Sequence, residues 1–158
     1  MAINYINGDA TYPIGDGNKM IVHVCNNIGA WGAGFVLAIS KRWKEPESRF
    51  KMEYKMFGRP IMGSCQPVEV EEDIYVMSMI CQQGIAYKGR KDAPIRYDEL
   101  EYCLNGIANA SKQYGNASIH MPRIGCGLAG GKWEEVEAII NRTLINKGVE
   151  VFVYDYGV

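Results

Sequence analysis

Three glycines within six residues, Gly29, Gly32 and Gly34, follow a short apolar run at residues 20–24 and precede a helical pattern. Phe35, Val36, Ile39 and Trp43 keep a three-to-four-residue spacing, which puts them on one helix face. Strand, glycine-rich loop and helix start make a physical recipe for binding an anion. Glycine has no Cβ, so the backbone can come close to a ligand. The unpaired N–H groups of the first helical turn then point at the negative charge. The spacing predicts a phosphate or diphosphate cradle at residues 32–35. A second glycine-rich loop, RIGCGLAGG at residues 123–131, also follows a strand pattern and leads into a helix. Two loops of this kind can close on one diphosphate from opposite sides.

The elements that must position these loops alternate along the chain. Strands are expected at residues 3–6, 19–24, 64–70, 74–80, 118–122 and 150–156. Helices are expected from Phe35 to near Trp43, and at 45–56, 97–114 and 132–147. Leu100, Leu104, Ile107 and Tyr114 mark the apolar face of the third helix. Trp133, Val136, Ile140 and Leu144 mark that of the fourth. Gly115-Asn116 and Gly148 stand where helices commonly stop. Residues 82–95, with two glycines, three basic residues and a proline, read as a loop. Alternation of this kind implies an α/β fold: a three-layer α/β/α sandwich with a mixed central sheet of about six strands. In such sheets ligands sit outside the carboxyl ends of the strands, where both glycine-rich loops fall.

At 158 residues, 47% hydrophobic and 22% charged, the chain is expected to form one domain over residues 1–158. A net charge of −1 supplies no global basic field for nucleic acid. No secretory signal or membrane span is read from the sequence. The five cysteines, Cys25, Cys65, Cys81, Cys103 and Cys126, include no CxxC pair, and His23 and His120 are the two histidines. Neither pattern suits a metal site. The expectation is a cytoplasmic, reducing setting, with no structural disulfide, metal or cofactor, and a monomer because no long heptad repeat is present.

Taken in order, Asn7-Gly8-Asp9, His23-Val-Cys-Asn-Asn27, Gly29-Ala-Trp-Gly-Ala-Gly34 and Met121-Pro-Arg-Ile-Gly-Cys-Gly127 resemble the macrodomain family of ADP-ribose-binding modules. The resemblance spans nearly the whole chain. It points to the branch that holds ADP-ribose-1''-phosphate phosphatases and terminal ADP-ribose glycohydrolases. The resemblance implies that Asp9 takes the adenine amino group, with the Ala10 N–H beside it. It places Gly32, Ala33, Gly34 and Phe35 around the diphosphate and proximal ribose, and Asn26 and Asn27 at the distal ribose. Gly125, Cys126, Gly127, Leu128 and Ala129 would cover the phosphates from the other side. Tyr154 and Tyr156 are candidates to flank the adenine. Trp31 is a further candidate contact, with packing as its other reading.

Two departures bear on activity. The glycohydrolase type has an aspartate after GCGL where this chain has Ala129, and a lysine where this chain has Gln82. Neither replacement can attack or activate a sugar carbon, so weak or absent glycohydrolase activity is expected. What the resemblance then implies is metal-independent removal of the 1''-phosphate from ADP-ribose-1''-phosphate. Cys126 lacks the CX5R pattern of a cysteine phosphatase. His23 ranks first as acid/base or water-orienting group, with Asn26 and Asn27 beside it and Asp92 second among titratable groups. His23 is equally readable as a hydrogen-bonded core histidine. A non-catalytic binder of ADP-ribose or a related nucleotide, and a hydrolase acting on ADP-ribosylated macromolecules, remain alternatives.

Overall fold

The computed structural model describes residues 1–156. Six strands form one sheet: β1 (Asn4–Asn7), β2 (Lys19–Asn26), β3 (Cys65–Glu71), β4 (Ile74–Gln82), β5 (Ser118–Met121) and β6 (Val151–Asp155). Four helices accompany them: α1 (Phe35–Arg42), α2 (Glu45–Phe57), α3 (Tyr97–Gln113) and α4 (Trp133–Thr143). The sheet order is β1-β6-β5-β2-β4-β3. β3 pairs antiparallel with β4, while every other pairing is parallel. The sandwich expected from the sequence is the one observed.

β2 shows why three layers form. A strand sends successive side chains to opposite faces. Met20 and Val22 join the core cluster built with Leu100, Leu104, Ile107, Val136 and Ile140 of α3 and α4. Ile21 and Cys25 join the opposite cluster, with Val36, Ile39 and Phe50 of α1 and α2. Both faces of β2 are therefore covered, and its sequence is an apolar run instead of an alternation.

Parallel pairing requires every crossover to return to the same end of the sheet. The carboxyl ends of β1, β2, β4, β5 and β6 consequently share one edge. Segments 8–18, 27–34, 83–96 and 122–132 gather there. β2 and β4 both run two residues beyond their expected ends, to Asn26 and Gln82, with an irregularity between Cys25 and Asn26. An isolated bridge from Gln82 to Ile95 helps extend β4.

Two helix expectations need correction. α4 stops at Thr143, and residues 145–147 form a separate 3-10 turn. Thr143 Oγ1 donates back to the Ile139 carbonyl at 2.7 Å, a local bond that competes with helix continuation. Tyr114 lies beyond the end of α3 and is 47% exposed, so it is not on the buried face. Among the described residues, no helix is long and apolar enough to cross a membrane.

Candidate functional site

At the carboxyl edge of the sheet, three cavities share walls and form one groove. The outer cavity, about 560 Å³, is bordered by Asp9, Thr11, Tyr12, Arg42, Tyr154 and Tyr156. The middle one, about 450 Å³, lies between residues 33–36 and residues 122–129. The inner one, about 350 Å³, is bordered by Asn26, Gly32, Gln82, Ile85, Ala86 and Leu128. Gly34 and Phe35 wall both the outer and the middle cavity. Gln82 and Leu128 wall both the middle and the inner one.

The first loop is pinned from below. Asn26 Oδ1 accepts the Ile28 and Ala30 N–H groups, both at 3.0 Å, and its Nδ2 donates to the Ala30 carbonyl at 2.8 Å. Trp31 is buried and donates Nε1–H to Ser40 Oγ at 2.8 Å, and Ser40 in turn donates to Glu47. With the backbone so fixed, Gly34 has φ 83° and ψ −150°, a conformation that side chains with a Cβ rarely adopt. Among the described residues, the amides of Gly32, Ala33, Gly34 and Phe35 have no protein acceptor. The other helices carry acids in their first turns: Glu45 and Glu47, Asp98 and Glu99, Glu134 and Glu135. α1 has none there, which leaves the positive end of its dipole to whatever occupies the groove.

The second loop braces itself. Ala129 N–H donates to Cys126, Gly130 N–H to Gly127, and Gly131 N–H to Gly125. The Ala129 carbonyl receives Ile95 N–H, tying the loop to the segment after β4. Arg123 grips Asp155 with two bonds, at 2.7 and 3.0 Å, beside the Tyr5 and Trp133 rings. Among the described residues, the amides of Gly125, Cys126, Gly127 and Leu128 again have no protein acceptor. Two sets of orphan donors therefore line the middle cavity, and burying them without an acceptor would be costly. Chemically, the arrangement suits a chain of linked anionic groups.

The structure brings Asp9, Ala33, Gly34, Phe35, Gly125, Cys126, Gly127, Leu128, Ala129, Tyr154 and Tyr156 to the groove's outer and middle parts, with Asn26 and Gly32 at its inner end. Asp9 Oδ1 accepts Thr11 N–H at 2.9 Å and Thr11 Oγ1–H at 2.7 Å, so this carboxylate also shapes its turn. Ala10 borders the outer cavity and is itself buried. Asn27 Oδ1 accepts Gly84 N–H at 2.9 Å, linking the segments that follow β2 and β4.

Several expected roles do not fit the positions found. His23 is 2% exposed and its Nε2 lies 2.8 Å from Ser78 Oγ. Its ring meets Trp31 and Phe35, and burial holds its pKa down to about 3. It borders the middle cavity, but as a buried, neutral side chain that supports the loop it is a poor acid/base candidate. Asp92 lies outside the groove walls, paired with Arg90 and Arg96, which push its pKa down to about 2. That carboxylate is too acidic and too committed for a general base. Trp31 packs against Phe50 and does not reach the groove. The Cys126 thiol is held above its ordinary pKa by burial, against a lowering from Arg123, which disfavours the nucleophilic thiolate. Tyr154 is 3% exposed, and its hydroxyl accepts Ile14 N–H at 3.0 Å and lies 2.7 Å from His120 Nδ1. Tyr12 and Tyr156, 60% and 78% exposed, are the rings open to a base at the outer end.

Tyr12, Lys41 and Arg42 were not legible as site residues. The Arg42 guanidinium lies 3.9 Å from the centre of the Tyr12 ring. One signal was available: Phe35, Ala38 and Arg42 stand at i, i+3 and i+7 and share the groove-facing side of α1. Gln82 stood out in the sequence only for what it replaces. In the fold it borders two cavities, and its carboxamide has no protein partner among the described residues.

This fold is shared with known proteins. No family model matches the chain. A solved structure from Bacteroides thetaiotaomicron is 52% identical, with a TM-score of 0.93 over 98% of both chains. A macrodomain protein from Streptomyces coelicolor is 41% identical, with a TM-score of 0.85 over 98% of this chain and 99% of that one. The chain belongs to the macrodomain family. Among curated relatives, Chromodomain-helicase-DNA-binding protein 1-like of Danio rerio is 31% identical over 98% of this chain, and the chain spans 16% of that protein's length. An ADP-ribose 1''-phosphate phosphatase of Lodderomyces elongisporus is 24% identical, over 98% of this chain and 100% of that one. An ADP-ribose glycohydrolase of Bos taurus is 25% identical, over 96% and 90%.

Proposed function

We propose that this macrodomain binds ADP-ribose along the groove and hydrolyses the 1''-phosphate of ADP-ribose-1''-phosphate. The observation that carries the reading is the pair of facing loops whose free amides line the middle cavity. Free amides on both sides suit a diphosphate, with Asp9 and the open Tyr12 and Tyr156 rings at the nucleoside end. The inner cavity then takes the distal ribose and its phosphate, next to Asn26 and Gln82. Relatives named for hydrolysis of ADP-ribose derivatives support the broader class, a hydrolase.

With His23 buried and neutral, Asp92 paired away and Cys126 protonated, catalysis falls to positioning and charge stabilisation. Water attacks phosphorus, the bond from phosphorus to the ribosyl oxygen breaks, and the departing oxygen ends with a proton that came from the water. Carboxamides can orient an attacking water, and backbone amides can stabilise charge on phosphoryl oxygens. Gln82, which borders the inner and middle cavities, is the proposed water-orienting group, and the start of α1 supplies the electrostatic part.

A second reading has its own support. Burial moves the wall residues His23 and Cys126 away from neutral pH, which favours a module that holds ADP-ribose without turning it over. Gln82 and Ala129 count against a third, ADP-ribosyl hydrolysis from macromolecules. Calorimetry with ADP-ribose tests the shared claim. Phosphate release from ADP-ribose-1''-phosphate, with and without chelator, separates the first two; tight binding with no release would leave the binder. We also infer a reducing, cytoplasmic setting, consistent with five free thiols, and a monomer, which sedimentation would test.

A further inference from the structure

Away from the groove, α2 carries Phe50, Glu53, Tyr54 and Phe57 at i, i+3, i+4 and i+7, so a carboxylate sits inside an aromatic stripe. These four residues wall a separate cavity of about 360 Å³, completed by residues 58–61 and 64–66. Among the described residues, Glu53 Oε2 is the one buried side-chain oxygen or nitrogen that has no hydrogen-bond partner. Native proteins seldom leave such an atom unpaired, and a carboxylate oxygen shut off from water wants a donor. Phe57 and Ile61, at 76% and 80% exposure, stand open at the same place.

We propose that this cavity is a second ligand site, for a guanidinium or alkylammonium group. Its N–H groups would donate to Glu53 Oε2, a charge-assisted bond. Its cationic face would lie against Tyr54 and the exposed Phe57, as cations do on aromatic rings. A strand added along β3 is a poorer occupant. Pro67, mid-strand on that sheet edge, has no N–H to offer and blunts the edge. The site therefore takes one cationic group, from a free amine or from a side chain of another polypeptide. Tyr54 also connects it to the first loop: a Cβ at Gly29 would fall 2.8 Å from Tyr54 Cγ, so the ring lies directly on that glycine. Arg59 borders the cavity too but makes no ion pair among the described residues, and it is the internal competitor for Glu53.

The test is an amide-detected NMR titration with agmatine, repeated with a short peptide carrying one central arginine. Shifts confined to residues near 50–66 and to Gly29 are expected. Glu53→Gln, which keeps the shape, should weaken binding at least tenfold while melting as the parent does. Phe57→Ala, at an exposed position, should weaken it several-fold, and Arg59→Ala should preserve or tighten it. Peptide binding tighter than agmatine assigns the cation to a polypeptide; equal or tighter agmatine binding assigns it to a free amine, and either supports the site. The proposal is overturned if neither parent nor Arg59→Ala responds to agmatine or to the peptide up to about 20 mM. It is equally overturned if inorganic phosphate moves these amides through Arg59 while agmatine does not.

Discussion

The two glycine-rich loops face one another across the groove yet are held by different means. The first rests on the core. Trp31, Ser40 and Glu47 form a hydrogen-bonded chain beneath it, and His23 sets its ring against Trp31 and Phe35. The second closes on itself through three internal N–H donations and is clipped from outside by Arg123 and Asp155. The first loop thus depends on a buried hydrogen-bonded chain, and the second adds its own internal bonds to the anchorage of Ile124 and Ala129 in the core. Damage to the buried supports of the first should appear as lost stability, and damage to the exposed part of the second as lost affinity.

The largest break should come from Trp31→Ala. Removing this buried ring should cost about 3–5 kcal/mol of stability, read by urea unfolding. A cost under about 1 kcal/mol would show that the first loop does not depend on the core. Next, Gly34→Val forces a branched side chain into positive φ and sends it toward Leu128, whose Cδ1 lies 3.7 Å from where a Cβ would stand. ADP-ribose affinity by calorimetry should fall about 100-fold, near 2.7 kcal/mol.

Acidification sharpens the contrast. Burial lowers the pKa of His23 to about 3, and burial with the Lys19 charge lowers that of His120 to about 4. Both stay neutral in the folded chain while unfolded histidines take up protons near pH 6.5. The unfolded state then binds more protons, so the associated stability is whole above pH 6.5 and drains as the pH falls toward about 4. The slope should reach up to ~1.4 kcal/mol per pH unit for each histidine. Thermal melts across that window should show it, and His23→Asn should remove roughly half. A melting temperature flat from pH 6.5 to 4.5 would contradict the neutral assignments.

Smaller effects belong to the second loop. Leu128 is 58% exposed, so Leu128→Ala should leave stability nearly unchanged while ADP-ribose binds about tenfold more weakly. Arg123→Ala should cost about 1 kcal/mol or less in stability, because its pair with Asp155 is partly solvated, and a few-fold in affinity. Should Arg123→Ala instead unfold the chain, the second loop would be as core-dependent as the first.

Much of the fold was legible because its signals are local. The apolar run of β2, the spaced faces of α3 and α4, and the glycines at both loops each report a backbone preference over a few residues. The sandwich followed from their alternation. Element ends were less legible. The extension of β4 to Gln82 depends on Ile95, thirteen positions on, and the early stop of α4 depends on where the Thr143 hydroxyl turns.

Side-chain roles divided along the same line. By residue type and spacing alone, the chain declared two backbone cradles for an anion, because glycine's freedom and a helix's unpaired amides are properties of the local chain. It took the assembled fold to make His23 neutral, to tie up Asp92 between two arginines, to set Gln82 at the junction of two cavities and to leave a Glu53 oxygen without a donor. Those outcomes depend on burial and on charges brought together from distant segments, which sequence spacing does not encode.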